Sequence, residues 1–170
     1  MAILSTAANS PVDICSRALI LIGADPITSF DDNSTEALVA SNLYEDVARA
    51  SLVNSRWRFA TNQSVLNKLA ADPTGRYDNA YQLPTDSLMV HAVTANDNLI
   101  EYQIYGNKVF ANTSDADVII ADYSFRAEEE NWPSYFTIAV EYALSTLFAT
   151  SIARDATLAS LMQNQAKDSM

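Results

Sequence analysis

"IGADPITSFDDNSTEA", residues 22–37, separates two segments whose apolar residues recur at helical spacing. Its small polar and acidic residues admit three readings: a metal loop, a catalytic turn or a structural corner. Asn33 is placed to cap a helix, and Glu36, three residues on, is placed to close a capping box with it. Asp31 and Asp32 precede the first turn, where helix-end amides favour negative charge. Gly23 ends the preceding helix. As a calcium loop, Asp31-x-Asn33-x-Thr35 fails at the sixth position, which is Glu36 rather than glycine, and at the twelfth, which is Asn42 rather than glutamate. The spacing therefore predicts a structural corner built from Pro26, Asp31, Asp32, Asn33 and Glu36, launching a helix over about 34–54.

Upstream, Ser10-Pro11-Val12-Asp13 has the form of a helix start. Helix one spans about 11–22, with Val12, Cys15, Leu19 and Ile22 on one stripe and Ile14, Ala18 and Leu21 beside it. In helix two the main apolar line is Ala40, Leu43, Val47 and Ala50, flanked by Ala37 and Tyr44. Trp57 and Phe59 then alternate with Arg56 and Arg58, as in an extended segment with its aromatics inward. "QSVLNKLA" (63–70) suits a short strand or one helical turn, and Asp72-Pro73-Thr74-Gly75 is a turn.

From Tyr77 to Phe125 the apolar period falls to about two. The candidate strands are "YDNAYQLP", "SLMVHAVT", "LIEYQIYG", "KVFANT" and "DVIIADYSF", with Gly106-Asn107 as a hairpin turn. Asn131-Trp132-Pro133 opens a third helix, with Phe136, Val140, Ala143, Leu147 and Ser151 in line and Ala139, Leu144 and Phe148 adjoining. A fourth follows the Arg154-Asp155-Ala156 corner, with Leu158, Leu161 and Met162 inward. The predicted fold is α+β: an antiparallel bundle of about four helices, with a small, mostly antiparallel sheet inserted between helices two and three. The expected organisation is a single domain over 1–170, with helical parts at about 11–54 and 132–168 and the β insert at about 77–125. Trp57, Phe59, Trp132 and Phe136 are expected as core anchors.

The chain has 170 residues, 18% of them charged, with a formal charge of −11. Between residues 86 and 130, nine acids face only Lys108 and Arg126. Such a field disfavours nucleic-acid or anionic-membrane binding by local contact, while leaving room for an acidic surface that DNA slides past. Low charge density fits either a surface partly covered by other protein or a weakly charged solvated one. The single cysteine excludes an intrachain disulfide. The N-terminus lacks the basic region and apolar core of a signal peptide, and no run of apolar residues reaches the length of a membrane span.

Site chemistry is sparse. His91 is the only histidine and Cys15 the only cysteine, too few for a zinc centre. Cys15 sits on an apolar stripe, which favours a buried structural thiol over a nucleophile. His91 is expected on the outer face of its strand. No spacing selects a carboxylate pair, and no glycine-rich phosphate loop occurs. Neither catalytic residue nor cofactor nor metal is expected. Surface residues more suited to a protein neighbour are Arg49, Arg56, Arg58, Tyr102, Tyr105, Glu128, Glu129 and Glu130, although Arg49 can also pair with Glu45 on its own helix.

Three stretches together carry a resemblance. "ALILIGADPITSFDDNSTEALVASNLYEDVARASLVNSRWRFAT" (18–61), "YDNAYQLPTDSLMV" (77–90) and "DVIIADYSFRAEEENWPSYFTIAVEYALSTLFATSIARDATL" (117–158) resemble, in that order, the head-to-tail adaptors of short-tailed phages, the tail tubular protein A family. The resemblance implies a non-enzymatic virion component of the neck or tail, made in the host cytoplasm. It implies a ring of about twelve copies with the portal above, the tail nozzle below and double-stranded DNA passing through the lumen. An alternative use of the same fold is a free protein-binding or assembly-chaperone module. An enzyme built on Cys15 or on a carboxylate pair is a third reading, and it requires an open cleft around those groups.

Overall fold

Ser10 caps the first helix: its hydroxyl accepts the Asp13 N–H at 3.2 Å, and Pro11 occupies the first helical position. In a computed structural model describing residues 8–71 and 73–169, α1 spans Pro11–Leu21 and ends at Gly23, whose φ of 75° suits a residue without Cβ. α2 spans Thr35–Asn54. Its cap is Ser34, whose hydroxyl accepts the Ala37 N–H at 3.1 Å, so the helix starts one residue later than the Asn33 cap predicted from sequence. Serine and asparagine cap equally well, and the extended backbone of Ser34 decides between them.

The chain folds as two compact units, one running to Ser55 and resuming at Ala127, the other Arg56–Arg126. In the helical unit, α3 (Ser134–Ser151) packs against α1, α2 and α4 (Ala156–Ser169). Asp155 caps α4 through the Thr157 and Leu158 amides, after Arg154 at φ 53°. Ile14, Leu19, Leu52, Phe136, Val140, Leu144 and Phe148 are fully buried.

Three stripes are rotated from those expected. α2 buries Ala37, Ala40, Tyr44, Ala48 and Ser51, while Leu43 and Val47 are half-buried and Ala50 is exposed. α3 buries Phe136, Val140 and the adjoining Ala139, Leu144 and Phe148, but exposes Leu147 and Ser151 of the main line and only half-buries Ala143. α4 buries Ala159, Met162 and Ala166, with Leu161 exposed and Leu158 half-buried. On α1, Leu21 is exposed as well. Small side chains at the buried positions of α2 and α4 let helix axes approach closely. Periodicity weights the larger residues and misses this by one position.

The first strand of the β unit starts at Thr61, ahead of the expected start at 77. Its strands are β1 (Thr61–Val65), β2 (Asn67–Lys68), β3 (Asn79–Gln82), β4 (Ser87–Ala95), β5 (Asn98–Leu99), β6 (Tyr102–Tyr105), β7 (Lys108–Ala111) and β8 (Ile119–Phe125). "QSVLNKLA" is thus extended. They form two four-stranded antiparallel sheets, ordered β1-β8-β4-β5 and β2-β3-β7-β6, in place of one. The chain changes sheet at Leu66, which is buried with Tyr81, Leu83, Val93, Val109, Ile119, Ala121 and Tyr123 in a core drawn from both sheets. Gly106-Asn107 turns β6 into β7 with Tyr105 opposite Lys108. A second tight hairpin, Asn96-Asp97 at φ 47° and 66°, turns β4 into β5; both positive values match a type I′ turn. Asp72 of the expected Asp72–Gly75 turn lies outside the described residues, as do residues 1–7 of the expected N-terminus.

Candidate interaction surfaces

The corner at 22–37 is held by its own hydrogen bonds. The Asp32 carboxylate accepts the Thr28 N–H at 2.8 Å, the Ser29 N–H at 3.1 Å and the Thr28 hydroxyl, which hold it below the usual carboxylate range. Asp32 therefore serves the loop rather than the helix-end amides expected from sequence. The Asp31 N–H donates to Ser29 Oγ, and Ser16 Oγ on α1 donates to the carbonyl of buried Ile27 at 2.6 Å. Pro26, Asp31 and Asn33 are exposed, and Glu36 is half-buried in the first turn of α2.

The groups that could carry chemistry are engaged or enclosed. Cys15 is fully buried, and burial pushes its thiol up to about 12, so it is not a thiolate at neutral pH. His91 Nε2 lies 2.8 Å from Ser124 Oγ, but Ser124 is fully buried, out of reach of a substrate. Asp122 contacts Arg56 at 3.2 Å. In place of the expected outer face, His91 sits half-buried at a register shift of β4 between Val90 and Ala92, which breaks the alternation. Partial burial and the charge of Arg56 lower its pKa. Among the described residues no three His, Cys, Asp or Glu side chains are grouped to hold a metal, and no helix is long and apolar enough to cross a membrane.

The residues expected at interfaces fall into different settings. Arg49 Nε meets Glu45 Oε1 at 2.6 Å along α2. Arg58 is exposed in a 3-10 turn, Arg58–Ala60. Tyr102 packs against the β core, whereas Tyr105 is half exposed on the β6–β7 hairpin. Glu128 and Glu130 are exposed, but Glu129 is not available to a partner. It is buried and accepts the Tyr44 hydroxyl at 2.8 Å. The 3-10 turn Glu129–Asn131 explains this, since its tight winding turns the middle acid inward and its neighbours outward. Of the expected anchors, Trp132 and Phe136 are buried edge to face, centroids 4.8 Å apart, with Trp132 Nε1 donating to the Ala127 carbonyl. Trp57 and Phe59 are only half-buried, their rings 6.2 Å apart. Their backbone passes into the 3-10 turn, which removes the strict alternation expected to send both rings inward.

Three features have no counterpart in the sequence reading. Glu141 is buried on α3; among the described residues its Oε1 has no hydrogen-bond partner and meets Arg17 only at 3.7 Å. A shallow apolar groove of about 300 Å³ runs between α2 and α3, lined by Val47, Ala50, Ala143 and Leu147 from the stripes expected in the core. On the β unit, Phe110 lies beneath Tyr105 and Tyr77, at 5.2 and 6.2 Å between centroids. Arg76 sits over the Tyr77 ring at 5.4 Å. With Thr74 and Gly75 these residues line a cleft of about 380 Å³. Its only local sign in the sequence is an Arg-Tyr pair after a turn.

Comparison with known proteins returns a family model described as tail tubular protein, matched over residues 12–128, from α1 through all eight strands. No curated protein matches the chain significantly.

Proposed function

The chain belongs to the tail tubular protein family, structural components of phage tails rather than enzymes, and from that premise we propose that it is the head-to-tail adaptor of its particle. In this reading about twelve copies form a closed ring. The portal binds one face, the tail nozzle binds the other, and double-stranded DNA passes through the centre without sequence-specific contact. The observation that carries the reading is the continuous match from the first helix to Glu128, which takes in the corner, the second helix and the whole β unit.

Two properties support it. The groups that could carry catalysis are not set in a cleft together: Cys15 is fully buried, and His91 meets the fully buried Ser124. The charge also suits a conduit: by sequence, thirteen acids and four bases fall in the helical unit, a net −9, against eight acids and six bases in the β unit, a net −2. Acids facing a bore would repel phosphate and let the duplex slide.

Imaging of intact particles at side-chain resolution tests the assignment. The expected result is a ring of this chain between portal and nozzle, its bore poor in Lys and Arg. Absence from mature particles would favour the assembly-chaperone alternative, and a bore lined mainly by Lys and Arg would refute the charge argument.

A further inference from the structure

The β unit holds six of the ten bases. Arg56 and Lys68 are engaged by Asp122 and Asp115 of the same unit. Arg76 differs from them: it is exposed and has no carboxylate against it among the described residues, although the chain carries 21 acids. It stands instead over the Tyr77 ring, in a cleft that Tyr105 also lines. Lys108, also exposed, stands opposite Tyr105 in the β6–β7 register and adds a second cation beside the cleft.

We propose that the Arg76 cleft of one copy receives an exposed carboxylate from the helical unit of a neighbouring copy. The proposal rests on the adaptor reading, in which copies assemble side by side. A guanidinium presents a planar fork of donors suited to a carboxylate, and stacking on Tyr77 fixes that fork before binding. Ordering done in advance lowers the entropic cost of contact. The cleft, at about 380 Å³, has room for one side chain and its flanks.

Charge selects the partner. Copies of a chain at −11 repel one another. The repulsion is reversed where Arg76 and Lys108 meet the acid-rich helical unit. Such a contact joins two different surfaces, so it is heterologous and repeats from copy to copy until a ring closes. Glu128 and Glu130 are suited to the role. They are exposed on a turn tied by the Trp132 N–H to the Glu129 carbonyl and by the buried Tyr44–Glu129 bond. Duplex DNA is disfavoured as occupant, because phosphate binding calls for a stripe of cations and this cleft offers two on an acidic chain.

The test places a photo-reactive phenylalanine analogue at position 105 and irradiates intact particles. The expected product is a band of twice the chain mass on a denaturing gel, with mass spectrometry joining position 105 to a peptide from 8–55 or 127–169. Adding Arg76→Glu should lower its yield about tenfold, with the circular dichroism of the purified protein unchanged. Cross-links to another protein, to DNA or to the β unit of a neighbour overturn the proposal, as does no cross-link from particles that contain the protein. Particles that lack the protein altogether refute the adaptor reading instead.

Discussion

At the residue scale, Glu141 bears the clearest cost. Its carboxyl is buried on α3, one oxygen lacks a hydrogen bond within the described residues, and Arg17 stands too far off to supply one. Burial raises its pKa, and Arg17 only partly opposes the rise. The folded state then binds this proton more tightly than the unfolded chain. Its contribution to stability is fully present below the ordinary carboxylate pKa and is lost as pH rises through the raised folded value. Glu141→Gln removes that titration. Urea unfolding across the acid-to-neutral range should show the wild type losing stability relative to E141Q as pH rises. Parallel curves would mean that the buried carboxyl titrates as it does in the unfolded chain. Cys15 and Asp32 need no such test to define their roles: one is packing, and the other braces a loop.

At the element scale, the start of α2 separates two adjacent residues that look equivalent. Ser34 bonds the Ala37 amide, whereas Asn33 is exposed one residue upstream. Ser34→Ala should therefore cost about 1 kcal/mol, in the usual range for a lost cap. Asn33→Ala should stay within about 0.5 kcal/mol. Chemical denaturation of both variants checks the pair, and equal losses would show the cap is shared. The groove between α2 and α3 belongs to this scale too. Val47, Ala50, Ala143 and Leu147 follow core-like periodicity yet line a shallow surface groove, while α2 buries Ala40, Tyr44 and Ala48 beside them.

At the scale of the whole molecule, the β unit is an insertion whose two ends meet. β1 and β8 pair with Thr61 opposite Ser124, so entry and exit lie on neighbouring strands a few ångströms apart. Its core of Leu66, Val93, Val109, Ile119 and Tyr123 comes entirely from within the unit. A unit with its own core and adjacent termini meets the requirements for independent folding. Residues 56–126 expressed alone should show a β-type circular dichroism spectrum and a cooperative thermal transition. A spectrum of disordered chain would show that the insert depends on the helices for its fold.

How much was legible follows from range. Helix starts and stops, the Gly106-Asn107 hairpin and the α+β class are governed by residues within a few positions of one another, and local chemistry suffices for them. The ordered motifs from residue 18 onward likewise pointed to the family whose model matches residues 12–128. The buried face of each helix, the division of the strands into two sheets, the inward turn of Glu129 and the meeting of Arg76 with Tyr105 depend on partners far away in the chain. Each such contact is chosen by packing and electrostatics once the elements are assembled, and that choice leaves only a faint periodic trace, or none, in the order of the amino acids.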